Sequence, residues 1–116
     1  MAITVETSKP AQLLAAIKKA IDDGQIDTWG YDKDGDFTHT PEQWSKKAWL
    51  RPVIQNGVLQ LGLFGQKDVV MKKIIYGVYH GRFIEMLVTH FGDSLLSATA
   101  SATKVAPPDN FTGTPV

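Results

Sequence analysis

Apolar residues early in the chain recur at helical spacing. In "SKPAQLLAAIKKAIDDGQ", Leu13, Leu14, Ile17, Ala20 and Ile21 fall on one face. Ser8 stands where a capping hydroxyl belongs, Pro10 sits in the first turn and Gly24 supplies a C-terminal cap, so the stretch predicts a helix. The period then shortens. "QIDTWGYDKDGDFTHT" places aromatic and β-branched residues on both sides of an Asp/Lys/Gly cluster, which predicts a hairpin turning near Lys33 to Gly35. "THTPEQW" reads as a capping box with Thr40 as cap, Pro41 first and Gln43 third, and predicts a short helix over 41–46. In "KKAWLRPVIQNGVLQLGLFG" the Asn56-Gly57 pair is the preferred type I′ turn, so 48–55 and 58–64 should pair antiparallel. Pro52 cannot donate to a ladder, which puts its strand at an edge or gives it a bulge.

Within "VVMKKIIYGVYHGRFIEMLVTHFGDSLLSATA" the period changes again. Ile74, Ile75, Tyr76, Gly77, Val78 and Tyr79 predict a strand over 72–79. From Gly81 onward Phe83, Met86, Leu87, His90, Phe91, Leu95 and Ala98 keep helical spacing, with Gly92 a weak point. Residues 105–116, rich in Pro, Gly, Asp and Thr, predict an unstructured tail after a single domain over 1–104. The resulting order predicts an α+β fold: a five-stranded, mainly antiparallel sheet with an N-terminal helix and a long C-terminal helix packed on one face.

Two of these strands are apolar on both sides. Val58 and Phe64 alternate with Leu59, Leu61 and Leu63, and Ile74, Tyr76 and Val78 alternate with Ile75 and Tyr79. Two helices cover only one face, so a second copy of the chain, a ligand or a different helix path must cover the other. A symmetric homodimer is the expected solution.

Length and charge narrow the picture further. The 116 residues, 43% of them hydrophobic, suffice for one core without disulfides and leave no room for a second domain. Twelve basic side chains balance twelve acidic ones, and the Lys pairs at 18–19, 46–47 and 72–73 are scattered, so no nucleic-acid partner is expected. Cysteine is absent, which removes disulfide frameworks, thiolate zinc sites and thiol nucleophiles. "MAITVETSKP" has neither a basic nor an apolar leader region, and no apolar run approaches the ~20 residues that span a bilayer. A soluble cytoplasmic protein with no membrane partner is the expectation.

The candidate chemistry is sparse. "DKDGDFTHTPEQW" sets Asp32, Asp34 and Asp36 like the first ligands of an EF-hand calcium loop. Phe37 stands where that loop needs glycine and Gln43 where it needs a bidentate acid, so the stretch reads as a polar turn. "YHGRFIE" gathers His80, Arg82 and Glu85, the candidate catalytic residues, at the expected strand-to-helix junction. The same residues also read as a tight junction followed by an i, i+3 ion pair on a solvated helix face. His39, His80 and His90 lack metal-ligand spacing, and His90 falls on an apolar stripe as a core or interface residue; no metal or cofactor is expected. Trp29, Trp44 and Trp49 cluster in sequence with Tyr31 and Phe37 nearby. Trp29, Trp49, Arg51 and Tyr79 are therefore candidate ligand-binding residues, set against the plainer role of tryptophan as core. Phosphate loops, nucleophile elbows and zinc-protease motifs are absent. Two functions follow as expectations: a non-enzymatic homodimer that binds a protein partner, or a small enzyme or ligand-binding protein with a pocket of His80, Arg82, Glu85 and tryptophan walls.

Overall fold

In the computed structural model, which describes residues 3–116, one antiparallel sheet carries six strands in the order β2-β3-β4-β5-β1-β6. In chain order the elements are β1 (Ile3–Glu6), α1 (Pro10–Asp22), β2 (Trp29–Tyr31), β3 (Phe37–His39), β4 (Ala48–Gln55), β5 (Val58–Gly65), α2 (Lys73–Phe91), a 3₁₀ turn (Gly92–Ser94) and β6 (Ser97–Ala100). The α+β class, the N-terminal helix and the long C-terminal helix are as expected; the sheet has six strands instead of five. Met1 and Ala2, the start of the segment read as lacking a leader, lie outside the described residues.

The β4–β5 hairpin is the longest ladder, running from Ala48↔Gly65 to Gln55↔Val58. The turn is not of the expected type I′, which needs φ > 0 at both central residues: Gly57 takes φ +73°, but Asn56 keeps a negative φ. β3 pairs with β4 only at Phe37↔Leu50, so β4 is a free edge beyond that point and Pro52 costs the sheet no hydrogen bond. The Lys33–Gly35 turn also forms: the Asp32 carboxylate accepts the amides of Asp34 and Asp36, and the Asp32 amide donates to the Asp36 carbonyl.

Alternation along the strands puts Ile3, Val5, Trp29, Phe37, Ala48, Leu50, Leu59, Leu61 and Leu63 on one side. Onto it α1 lays Leu13, Ile17 and Ala20, and α2 lays Tyr76, Tyr79, Phe83, Met86 and Leu87. Each large apolar side chain sealed there contributes about 1.5–3 kcal/mol before the entropy of ordering is set against it.

Four further local expectations need correction. Residues 72–79 are not a strand, because Tyr76, Tyr79, His80, Phe83, Met86 and Leu87 form a single inward helical series that starts well before Gly81. Aromatic and β-branched residues favour strands locally, but burying this stripe against the sheet outweighs that preference. Residues 41–46 form turns, not a helix: the amides of Trp44 and Ser45 reach the Pro41 carbonyl, and Lys46 at φ +59° stops further winding. The Thr40 hydroxyl is engaged elsewhere, donating to the Asp27 carbonyl. Ser8 does not cap α1, whose N-cap is Lys9; β1 ahead of it and β6 after the 3₁₀ turn are the strands with no counterpart in the sequence reading.

The fourth concerns the tail, which docks. Asn110 lies parallel to Phe64, exchanging backbone hydrogen bonds with Leu63 and Gly65. The buried Asp109 carboxylate accepts the amides of Leu63 and Val105 at 2.9 Å each. Phe111 is buried against the edge of the Tyr76 ring, and Pro108 presses so close to Gly62 that a Cβ there would meet it at 2.7 Å. The tail thus completes the β5 edge where β1 ends and covers part of the outer sheet face. Some of the two-sided apolar character read in β5 belongs to this intramolecular contact.

Candidate functional site

Two places hold exposed functional side chains, and in the core His80 Nε2 is buried with no hydrogen-bond partner among the described residues. The first is the outer face of β4 and β5. Trp49 and Phe64 are register partners, and the Arg51 guanidinium lies over the Phe64 ring at 4.0 Å. Arg51 also grips the Asp36 carboxylate through two nitrogens, at 2.9 and 3.1 Å. Asp36 is buried while the Arg51 side chain remains 48% exposed. The bond to Asp36, helped by Asp34 and Asp32, raises the Arg51 pKa above its ordinary value. Val53 extends the patch toward the hairpin tip, 39% exposed.

The second place is a cleft of about 150 Å³ between the start of β2, the end of β3 and the flank of α2. Its lining includes Asp27, Trp29, His39, Arg82, Glu85, Thr89 and His90. His39 is buried, and its ring lies 4.5 Å from that of Trp29. Its Nδ1–H donates to the Thr28 carbonyl at 2.7 Å, which leaves the lone pair of the neutral ring on Nε2, without a protein partner among the described residues. Burial depresses the His39 pKa, and the nearby Arg82 pushes it further down; the Thr28 carbonyl and Glu85 act in the opposite sense. Arg82 and Glu85 form an exposed ion pair at 3.2 Å.

The sequence-proposed residues divide between these places and the core. His80, Arg82 and Glu85 do not converge, since all three stand within α2 and not at a strand-to-helix junction. His80 points inward, stacked on Tyr76 at 4.0 Å with Nδ1 bonded to the Tyr76 carbonyl, whereas Arg82 and Glu85 face outward. Tyr79 is fully buried, its hydroxyl donating to the Trp44 carbonyl and lying 3.0 Å from the Thr38 hydroxyl. Trp29 is core and backs the cleft, Trp44 is half-buried, and Trp49 and Arg51 meet on the outer face. His90, expected on the apolar stripe, is exposed at the cleft rim because the stripe of α2 rotates it outward.

Sequence reasoning missed the pairing of Arg51 with Asp36 and the place of His39. The available signals were an acid next to Phe37 in an alternating strand, and a histidine two residues further on the buried side.

Among the described residues no group of three or more His, Asp or Glu side chains is arranged to hold a metal ion, and no helix is long and apolar enough to cross a membrane. Comparison with known protein families, curated proteins and solved structures finds no match to this chain.

Proposed function

We propose that the protein is a non-enzymatic interaction module that acts as a homodimer and binds its protein partner through the outer face of β4 and β5. The observation that carries this reading is Arg51, held between the Asp36 carboxylate and the Phe64 ring beside Trp49 on the face that no helix covers. Tryptophan, arginine and other large side chains anchor interfaces, and anchors already fixed in place lose little freedom on binding. Each Arg51 carries its own counter-charge in Asp36, so two copies meeting through this face bring no unpaired charge together.

Recognition by side chains is favoured over strand addition. Pro52 lies on the free part of β4, where a missing N–H interrupts any ladder a new strand would form. A cytoplasmic setting belongs to the same proposal and is supported by the absence of cysteine; the balanced charge gives nucleic acid no place in it.

Sedimentation of the full chain from low micromolar to millimolar concentration tests the reading. The wild type should move from monomer to dimer across that range, while Trp49→Ser and Val53→Lys, which leave the Arg51–Asp36 pair intact, remain monomeric with unchanged circular dichroism. A wild type that stays monomeric throughout contradicts the homodimer.

A further inference from the structure

We infer that the free edge of β6 takes up an extended peptide segment of a partner protein as an added antiparallel strand. This surface is separate from the outer face of β4 and β5 and independent of the function proposed for it. β6 is the outermost strand beyond β1, and among the described residues no backbone hydrogen bond joins it to anything but β1. Backbone N–H and C=O groups of alternate residues point to opposite sides of a strand. Half of those in Ser97–Ala100 therefore face away from β1, and the row they form matches the backbone of another extended chain.

The other free edges are blunted and this one is not. Pro52 interrupts the open part of β4, and β2, at the far end of the sheet, is three residues long with Gly30 at its centre. From Ser94 to Thr103 the chain carries no charge, proline or glycine, so an added strand meets neither like charge nor a missing donor. Register then sets the side chains that the segment must bring. Ala98 and Ala100 pair with the buried Val5 and Ile3 on the face that α2 covers, whereas Ser97 and Thr99 pair with Glu6 and Thr4 on the other. Residues opposite the two alanines must be apolar and those opposite Ser97 and Thr99 polar, an alternation of period two. No β6 side chain is larger than threonine, which leaves room for β-branched neighbours. At the Leu96 end of this edge lies a cleft of about 530 Å³, lined by Leu13 and Ala16 of α1 together with Leu95 and Leu96. Leu96 is 84% exposed, an apolar side chain that the chain itself leaves in water. An antiparallel segment runs its C-terminal end over Leu96, where a leucine reaches the cleft.

Nuclear magnetic resonance of the intact chain tests this with a blocked synthetic peptide, acetyl-KTVTVTLK-amide, as probe. At about nine-tenths saturation, alternate amides of Ser97–Ala100 should exchange hydrogen about tenfold more slowly, because only the free fraction exchanges. The methyl signals of Leu13 and Leu96 should shift along the same binding curve. Leu96→Asp changes an exposed side chain, should keep the fold, and should weaken the peptide by about tenfold. N-methylation of the peptide at its valines and leucine, or at its threonines, removes the donors of one edge at a time. One form should lose binding by about tenfold or more and the other should keep it. Unchanged spectra at millimolar peptide overturn the site, and equal binding by the two N-methylated forms overturns backbone pairing. Full binding to Leu96→Asp overturns the part given to the cleft. Protection of the β6 amides that grows with protein concentration in the absence of peptide makes a second copy of the chain the occupant and overturns the peptide segment.

Discussion

The two faces of the sheet use similar residues under different rules. On the helix side Trp29, Phe37, Tyr79 and Phe83 meet ring to ring, with centroids 5.0–5.6 Å apart for three of the pairs, and all are sealed from water. In that layer the Tyr79 hydroxyl is engaged by the Trp44 carbonyl and Thr38 and the His39 Nδ1–H by the Thr28 carbonyl, while His80 Nε2 is buried with no hydrogen-bond partner among the described residues. On the outer side Trp49, Phe64 and Arg51 stay half-covered or exposed and are ordered by a salt bridge and a cation–π contact. The first arrangement stabilises the fold through burial; the second presents rigid, amphipathic groups to solvent and contributes little beyond Arg51's neutralising of the buried Asp36 carboxylate. Mutations should therefore separate cleanly, inner ones acting on folding and outer ones on association.

The largest expected effect comes from the tail that bridges both faces. Deleting residues 105–116 removes the buried Phe111 ring and leaves the Leu63 amide without the Asp109 carboxylate. A loss on the order of 4 kcal/mol in chemical denaturation is expected from one aromatic side chain plus one charge-assisted hydrogen bond. Unchanged stability would show that the tail is not part of the folded unit.

Next comes the direct comparison of two phenylalanines. Phe83→Ala on the inner face should cost about 3–5 kcal/mol, whereas Phe64→Ala on the outer face should cost about 1 kcal/mol. Similar losses at the two positions would erase the distinction between core and presented surface.

The smaller effect is on pH dependence and belongs to the inner layer alone. Burial holds the pKa of both His80 and His39 below the ordinary histidine value, opposed at His80 by the Tyr76 carbonyl and Asp109. The unfolded chain takes up these protons first as pH falls through about 6.5, so stability is present above that pH and declines below it. Each histidine contributes a slope of at most ~1.4 kcal/mol per pH unit until its folded form also protonates. Denaturation melts at a series of pH values should show this decline, and His80→Phe should reduce it.

How much of this was legible follows from what each signal depends on. The β4–β5 hairpin was, because Asn56-Gly57 and the flanking alternation act over a few residues. α1 was legible from its stripe, although its cap was not. The 72–79 segment was misread because Ile74, Ile75 and Val78 weigh toward a strand, while the helical series begins with Tyr76 and is completed by residues beyond Gly81. β1 and β6 are four residues each and pair with partners far along the chain, information no local window holds. The tail's composition hides its docking, which joins the buried side chains of Asp109 and Phe111 to backbone bonds made by Asn110, Thr112 and Val116. Of the candidate site, Trp49 and Arg51 were found individually; Phe64, Asp36 and His39 join them only through cross-strand register and the turn between β2 and β3.

The central claim, that the outer face is the surface presented for association, is tested most directly by amide and indole nitrogen–proton correlation spectra of the wild type recorded over a dilution series. Peaks of Trp49, including its indole N–H, with those of Arg51, Val53 and Phe64, should shift together along one binding curve while those of α2 stay fixed. Concentration-independent spectra, or shifts confined to residues elsewhere, would contradict it.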